Sequence, residues 1–223
     1  CVSRPTNPTG NVITDEELIK LDALANQHGV PLVIDNAYGV PFPGIIFSDA
    51  RPLWNPNIVL CMSLSKLGPA GQPLRDYHRQ RKIITAISNM NGIISLAPGG
   101  IGPAMMCEMI KRQDLLRLSE TVIKPFYYQR VQETSPLFAA ICRRSAALFT
   151  NRRGIFLWLW FKDLPISTEL LYQRLKKRGV LMVPGDYFFP GLDKPWPHTH
   201  QCMRMNYVPD PQKIEAGVKI LAE

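Results

Sequence analysis

The stretch that most constrains this chain is Ile58-Val59-Leu60-Cys61-Met62-Ser63-Leu64-Ser65-Lys66. An unbroken apolar run bounded by turn residues predicts a buried strand. The run ends in two serines and a lysine. A lysine at the end of such a strand is partly desolvated. Desolvation disfavours the ammonium, lowers its pKa and frees the amine as a nucleophile. Taken alone, Ser-Leu-Ser-Lys reads as a strand cap, because a short motif by itself is weak.

Two upstream stretches change that reading. Pro31-Leu32-Val33-Ile34-Asp35 is a second buried strand, ending in a carboxylate with Tyr38 three residues on. Arg4-Pro5-Thr6-Asn7-Pro8-Thr9-Gly10 is a turn built on Asn-Pro and Gly. Together they supply an amine, a strand-end carboxylate, a phenol and an amide. Pyridoxal phosphate needs such groups: a lysine for the Schiff base and an acid for its pyridinium nitrogen. Each residue also has a structural alternative. Asp35 suits a helix N-cap, Asn7 an ordinary turn and Tyr38 a core position. Arg204 suits a strand-edge surface charge.

The order Asn-Pro-Thr-Gly, Asp-x-x-Tyr, Ser-x-Ser-Lys resembles the fold-type I pyridoxal-phosphate aminotransferases. The local match is nearest to their bacterial valine–pyruvate branch and runs from Ser3 to Glu223 with two interruptions. The resemblance implies that Lys66 carries the cofactor and moves the substrate proton, and that Asp35 pairs with the ring nitrogen. It makes Asn7 and Tyr38 partners of the ring hydroxyl, and Ser63 and Ser65 phosphate contacts. It makes Arg204 the arginine that grips the substrate carboxylate, a task suited to a bidentate guanidinium fork.

Thr14-Asp15-Glu16-Glu17 reads as a capping box. It opens a helix with Leu18, Leu21, Leu24 and Ala25 on one stripe, ending near Gly29. A helix that returns the chain to a buried strand predicts a parallel sheet. Asp35 and Lys66 then lie at carboxyl ends of strands, where open α/β sheets hold ligands. Residues 82–91 look helical, and residues 92–100 read as a loop that in the family faces a dimer partner. Pro103 opens a helix through Lys111. Another helix runs from Asp114 to about Gln132 with a kink at Pro125. Met105, Met106 and Met109 read as core filler.

Residues 154–161 predict an aromatic-rich strand. Ser167 caps a helix that Gly179 ends. Residues 180–183 and 202–208 read as strands, the second carrying Arg204, and a helix follows Asp210. His198 and His200 sit in a Pro-rich loop and receive no role.

Two windows depart from the family. In residues 69–81 the family's phosphate-binding arginine is replaced by Pro73 and Leu74, and the sequence from Arg75 to Arg81 has no strand character. Whether Arg75 takes over stays open. Residues 135–153 hold an apolar stretch broken by Pro136 and two Arg-Arg pairs. Both windows read as translated in a shifted frame, which implies loss of that arginine and of one sheet strand.

Formal net charge is +8, which invites a nucleic-acid partner. The placement argues otherwise. The two aberrant windows supply six of the eight excess charges, through Arg75, Arg79 and Arg81 against Asp76, and Arg143, Arg144, Arg152 and Arg153. No apolar run approaches the roughly eighteen residues of a membrane helix. No signal peptide is visible. Five scattered cysteines form no metal pattern and fit reduced thiols in the cytoplasm.

The expected fold is α/β. Residues 1–125 would form the later part of a pyridoxal-phosphate large domain, with a parallel-rich sheet and helices. Residues 126–223 would form a small α+β domain. The expected reaction moves an amino group between valine or alanine and a 2-oxo acid, pyruvate or 2-oxoisovalerate, in a homodimer. The competing expectation is a catalytically inactive remnant, because the family's preceding phosphate-holding helix and ring-stacking aromatic would be missing. No metal, nucleic acid or membrane partner is expected.

Overall fold

A computed structural model describes residues 1–67, 75–78, 81–96, 100–145, 147–150, 154–206 and 208–223. The chain forms two compact units, one of residues 1–5 and 12–125, the other of residues 6–11 and 126–223.

The first unit is built on a sheet of β1 (Val2–Ser3), β2 (Leu32–Asp35), β3 (Ile58–Ser63) and β4 (Arg75–His78), in that spatial order. β1, β2 and β3 are parallel, with Ile34 beside Leu60 and Asp35 beside Cys61. The crossover helix α1 (Asp15–Gln27) starts at the expected capping box. The Thr14 amide donates to Glu17 Oε2 at 2.8 Å and the Glu17 amide to Thr14 Oγ1 at 3.2 Å. Leu18, Leu21 and Ala25 of α1 pack on Leu32, Ile34, Ile58, Leu60 and Met62. Leu24, expected on that stripe, is 53% exposed. Asp22 is buried because two amides reach it, Asn55 Nδ2 and Asn57 Nδ2.

Three expectations fail here. Residues 75–78 do form a strand: β4 runs antiparallel to β3, with Ser63 beside Arg75 and Leu60 beside His78. Pairing with a buried neighbour outweighs weak local β propensity. The sheet therefore keeps the strand that was expected to be lost. Pro73 and Leu74 lie outside the described residues. Helix α2 (Arg81–Ser95) absorbs residues 92–95, which were expected in a loop. Gly92 costs a helix only about 1 kcal/mol, and its isoleucine neighbours continue the helix. Residues 97–99 lie outside the described ones.

Helix α3 (Ile101–Lys111) follows, then α4 (Asp114–Leu118), a π-helical turn (Ser119–Ile123) and α5 (Lys124–Ser145). Met106 is buried and Met109 packs against the same cluster. Met105's side chain is not among the described ones. The π turn precedes Pro125, which lacks an amide and crowds the preceding turn, so the wider turn accommodates its ring. Pro136 does not break α5. Val131, Thr134, Ser135 and Phe138 are buried around it, and packing of that stripe holds the helix across the missing amide.

The second unit has an antiparallel sheet in the order β5 (Ala147–Thr150), β6 (Phe156–Phe161), β8 (Cys202–Asn206) and β7 (Val183–Pro184). Strand β7 is much shorter than the expected strand over 180–183. Helices α6 (Thr168–Lys177) and α7 (Pro211–Ala222) start at Ser167 and Asp210, whose side chains accept from Leu170 N and Gln212 N. Strand β6 reads Phe-Leu-Trp-Leu-Trp-Phe without alternation because both its faces are covered. Leu157 and Leu159 are buried on one face, Phe156 and Trp158 on the other.

Candidate active site

In the first unit the reactive side chains gather at the carboxyl ends of β2 and β3. Asp35 is the last residue of β2 and is exposed. Its Oδ1 accepts from the Ala37 amide at 3.2 Å, which turns the chain at once. Asn36 is buried and its side chain donates to Val40 O. A Cβ on Gly39 would meet Asn36 Oδ1 at 2.0 Å and Arg4 O at 2.7 Å. Only glycine fits there, so the loop carrying half-buried Tyr38 closes tightly.

Ser63 ends β3. Its Oγ lies 2.9 Å from Ser65 Oγ and accepts from the Ser65 amide at 3.3 Å. The chain then makes a turn closed by Leu67 N donating to Leu64 O at 3.0 Å. Leu64 and Leu67 are buried against Met106 and Leu115. Ser65 and Lys66 lie between these two anchors and are half-buried. The Lys66 Nζ lies 5.7 Å from the centre of the Tyr38 ring. The amine, phenol ring, paired hydroxyls and carboxylate thus share the carboxyl end of the two central strands of one sheet.

Asn7 and Arg204 belong to the second unit. The Asn7 turn is closed by Gly10 N donating to Thr6 O and Thr6 N to Asn11 O, both at 2.7 Å. Arg204 lies on β8 opposite Trp158 and Val183. Its Nη1 donates to Asn7 Oδ1 at 2.7 Å, across 197 residues of sequence. Its guanidinium carbon lies 4.6 Å from the Phe156 ring centre and 5.1 Å from that of Phe188. Arg204 is therefore no solvated edge charge.

Sequence reading missed Phe156 and Phe188 as neighbours of Arg204. Phe156 was legible only as part of an aromatic strand, and Phe188 carried no signal. It also left the two histidines without a role. His198 Nε2 accepts from Trp158 Nε1 at 3.3 Å, and its ring stacks on Trp196 at 4.6 Å. Burial pushes the His198 imidazole below its ordinary value and the adjacent Cys202 thiol up to about 12. That thiol is a packing group, not a nucleophile. His200 pairs with Asp186. No cluster of metal-ligating residues occurs among the described residues, and none of their helices is long and apolar enough to cross a membrane.

Known proteins resemble this chain in sequence and fold. The chain is 80% identical over its whole length to valine–pyruvate aminotransferase of Escherichia coli K12, of which it covers 54%. It matches the crystal structure of valine–pyruvate aminotransferase from Salmonella typhimurium LT2 with a TM-score of 0.90 and 79% identity, covering 100% of this chain and 57% of that one. A solved protein from Psychrobacter arcticum 273-4 matches at 45% identity with a TM-score of 0.92, over 99% of this chain and 51% of that one. The chain spans about half the length of the relatives it matches. The sequence pattern of aminotransferase class I and II extends over residues 1–221. This chain belongs to the class I and II aminotransferase family.

Proposed function

We propose that this chain serves pyridoxal-phosphate-dependent transamination between valine or alanine and a 2-oxo acid, pyruvate or 2-oxoisovalerate. The observation that carries the reading is the carboxyl end of the central strands of the first sheet. Lys66 Nζ stands over the Tyr38 ring, and Asp35 ends the strand registered beside the one that leads to Ser63. Those donors fit the cofactor: an amine for its aldehyde, an acid for its ring nitrogen, a phenol for its ring hydroxyl and hydroxyls for its phosphate. Identity of 80% to a valine–pyruvate aminotransferase supports the substrate pair. When bound, the cofactor's ring draws electrons from the substrate α-carbon.

In this reading Lys66 would bind the cofactor, and its amine would then take the proton from the substrate α-carbon and deliver it to the cofactor's aldehyde-derived carbon. The Asp35 carboxylate holds a proton at the ring nitrogen. Asn7 already accepts from Arg204 through Oδ1, so its Nδ2 is the atom that serves the ring hydroxyl. Tyr38 donates to the same oxygen. Ser63 and Ser65 bind the phosphate, and Arg204 binds the substrate carboxylate. Residues 1–125 act as the cofactor-binding part and 126–223 as the small domain.

The acting species is a homodimer. Ile93 and Ile94 at the end of α2, Leu96 just beyond it and Ile101 at the start of α3 are 70–89% exposed, an apolar surface suited to a second copy.

The test is direct. Purified chain is incubated with pyridoxal phosphate and reduced with borohydride, and modified peptides are located by mass spectrometry. Modification of Lys66, with valine-dependent alanine formation from pyruvate, is the expected result. Modification elsewhere, or none, overturns the reading. Absence of modification is the outcome expected of an inactive remnant.

A further inference from the structure

Arg204 is held from two sides. Phe156 lies diagonally across the strand pair, since Phe156 is registered with Asn206 and Trp158 with Arg204. Phe188 closes the 3₁₀ turn Gly185–Phe188 that follows β7. Both rings lie within about 6 Å of the guanidinium, the range in which ring faces attract a cation. Asn7 takes one of its N–H donors.

Phe188 has its own support. Its ring meets Trp158 edge-on, with centres 5.6 Å apart. Trp158 is buried, and its indole N–H is tied to His198. The turn that carries Phe188 is pinned at Gly185, where a Cβ would meet Thr199 O at 2.5 Å and Cys202 O at 2.9 Å. A side-chain cation on four rotatable bonds has many orientations in open solvent. Between two rings and one amide it has few, and its conformational freedom is spent before a ligand arrives.

We infer that Phe188, working with Phe156, is the positioning residue that orients the Arg204 fork and so sets affinity for the substrate's planar carboxylate. This rests on the proposed role of Arg204 as the carboxylate-binding group. Phe188 is the member of the pair to test, because it is half-buried whereas Phe156 is a buried strand residue.

The experiment uses the full chain and two readouts. The first is the ¹⁵N–¹H signal of the Arg204 Nε, assigned by its loss in Arg204→Lys, which reports the ring faces beside it without any cofactor. The second is 2-oxoisovalerate affinity by titration, with KM and kcat compared in the cofactor-loaded protein. Phe188→Leu keeps apolar volume but removes the ring face. It should shift the Arg204 signal toward the position of a solvent-exposed arginine. It should also weaken 2-oxoisovalerate roughly five- to tenfold, raising KM more than it lowers kcat. Phe188→Tyr should restore both readouts.

An unchanged signal and affinity in Phe188→Leu overturns the inference. So does a shifted signal with unchanged affinity, provided Arg204→Lys weakens binding. If Arg204→Lys binds 2-oxoisovalerate as well as the unaltered chain, the role of Arg204 itself falls and the inference falls with it.

Discussion

In the first unit the candidate groups sit at or just past the ends of parallel strands; in the second, Arg204 sits in the middle of an antiparallel strand. Lys66 and Ser65 are held by their sequence neighbours, because Leu64 and Leu67 are buried on either side. Arg204 is held by residues far away in the sequence: Asn7, Phe156 and Phe188. The first arrangement leaves a strand-end side chain open to a ligand while its backbone is fixed. The second uses rings to restrain a long side chain on a strand. The covalent role proposed for Lys66 would tolerate the first, since the residue's position is set by its own turn. The carboxylate-binding fork proposed for Arg204 would need the second, since a fork's orientation carries its specificity.

The largest expected effect removes the amine. Lys66→Ala should abolish both the borohydride-trapped modification and transamination, measured by peptide mass spectrometry and product formation. Modification that persists in the variant would assign the covalent role to another lysine.

Asp35→Asn comes next. It should cut turnover by roughly two orders of magnitude while cofactor affinity changes far less, because an amide cannot hold the ring nitrogen protonated. Turnover and cofactor titration on the same sample separate the two effects. A near-normal turnover would contradict the assignment.

Leu67→Ala tests whether local anchoring holds Lys66. Leu67 is 5% exposed, so truncation should cost about 2–5 kcal/mol of stability, read from denaturant unfolding. Lys66 should also lose its place over Tyr38, with slower cofactor modification. Modification at the normal rate in a destabilised variant would show that the leucines serve the core alone.

The smallest effect is on pH, and it separates the units. Burial lowers the pKa of His198 from 6.5, and the Arg4 guanidinium hydrogen-bonded to Asp15 lowers that carboxyl from 3.8. In each case the unfolded chain binds more protons as pH falls through the ordinary value. Stability from each group is therefore complete above that value and lost below it. The second unit should start to loosen below about pH 6.5, and the first at lower pH, as Glu17, held down by its hydrogen bonds to Thr14, and then Asp15 take up protons. Three of the chain's four tryptophans, Trp158, Trp160 and Trp196, lie in the second unit. A fluorescence change that sets in as pH falls below about 6.5, and that His198→Gln abolishes, is the expected outcome.

What the sequence showed plainly was local. The capping box at Thr14, the apolar strands and the helix starts at Ser167 and Asp210 each arise from neighbouring residues. What it misjudged was local propensity overruled by packing. Residues 75–78 became a strand because β3 lay open beside them. Pro136 stayed within α5 because Val131, Thr134 and Phe138 were buried around it.

By itself, then, the sequence determined which chemistry the chain carries: a strand-end lysine, a strand-end carboxylate, a phenol, an amide and an arginine. A motif's residue types and order are written along the chain, so they are legible there. Only the tertiary structure decided how those groups are restrained. The ring pair around Arg204 and the Trp158–His198 bond join residues separated by tens of positions, 40 in the latter case. Such pairs follow from strand register and burial, which depend on the whole chain packing at once and leave no periodicity in any one stretch.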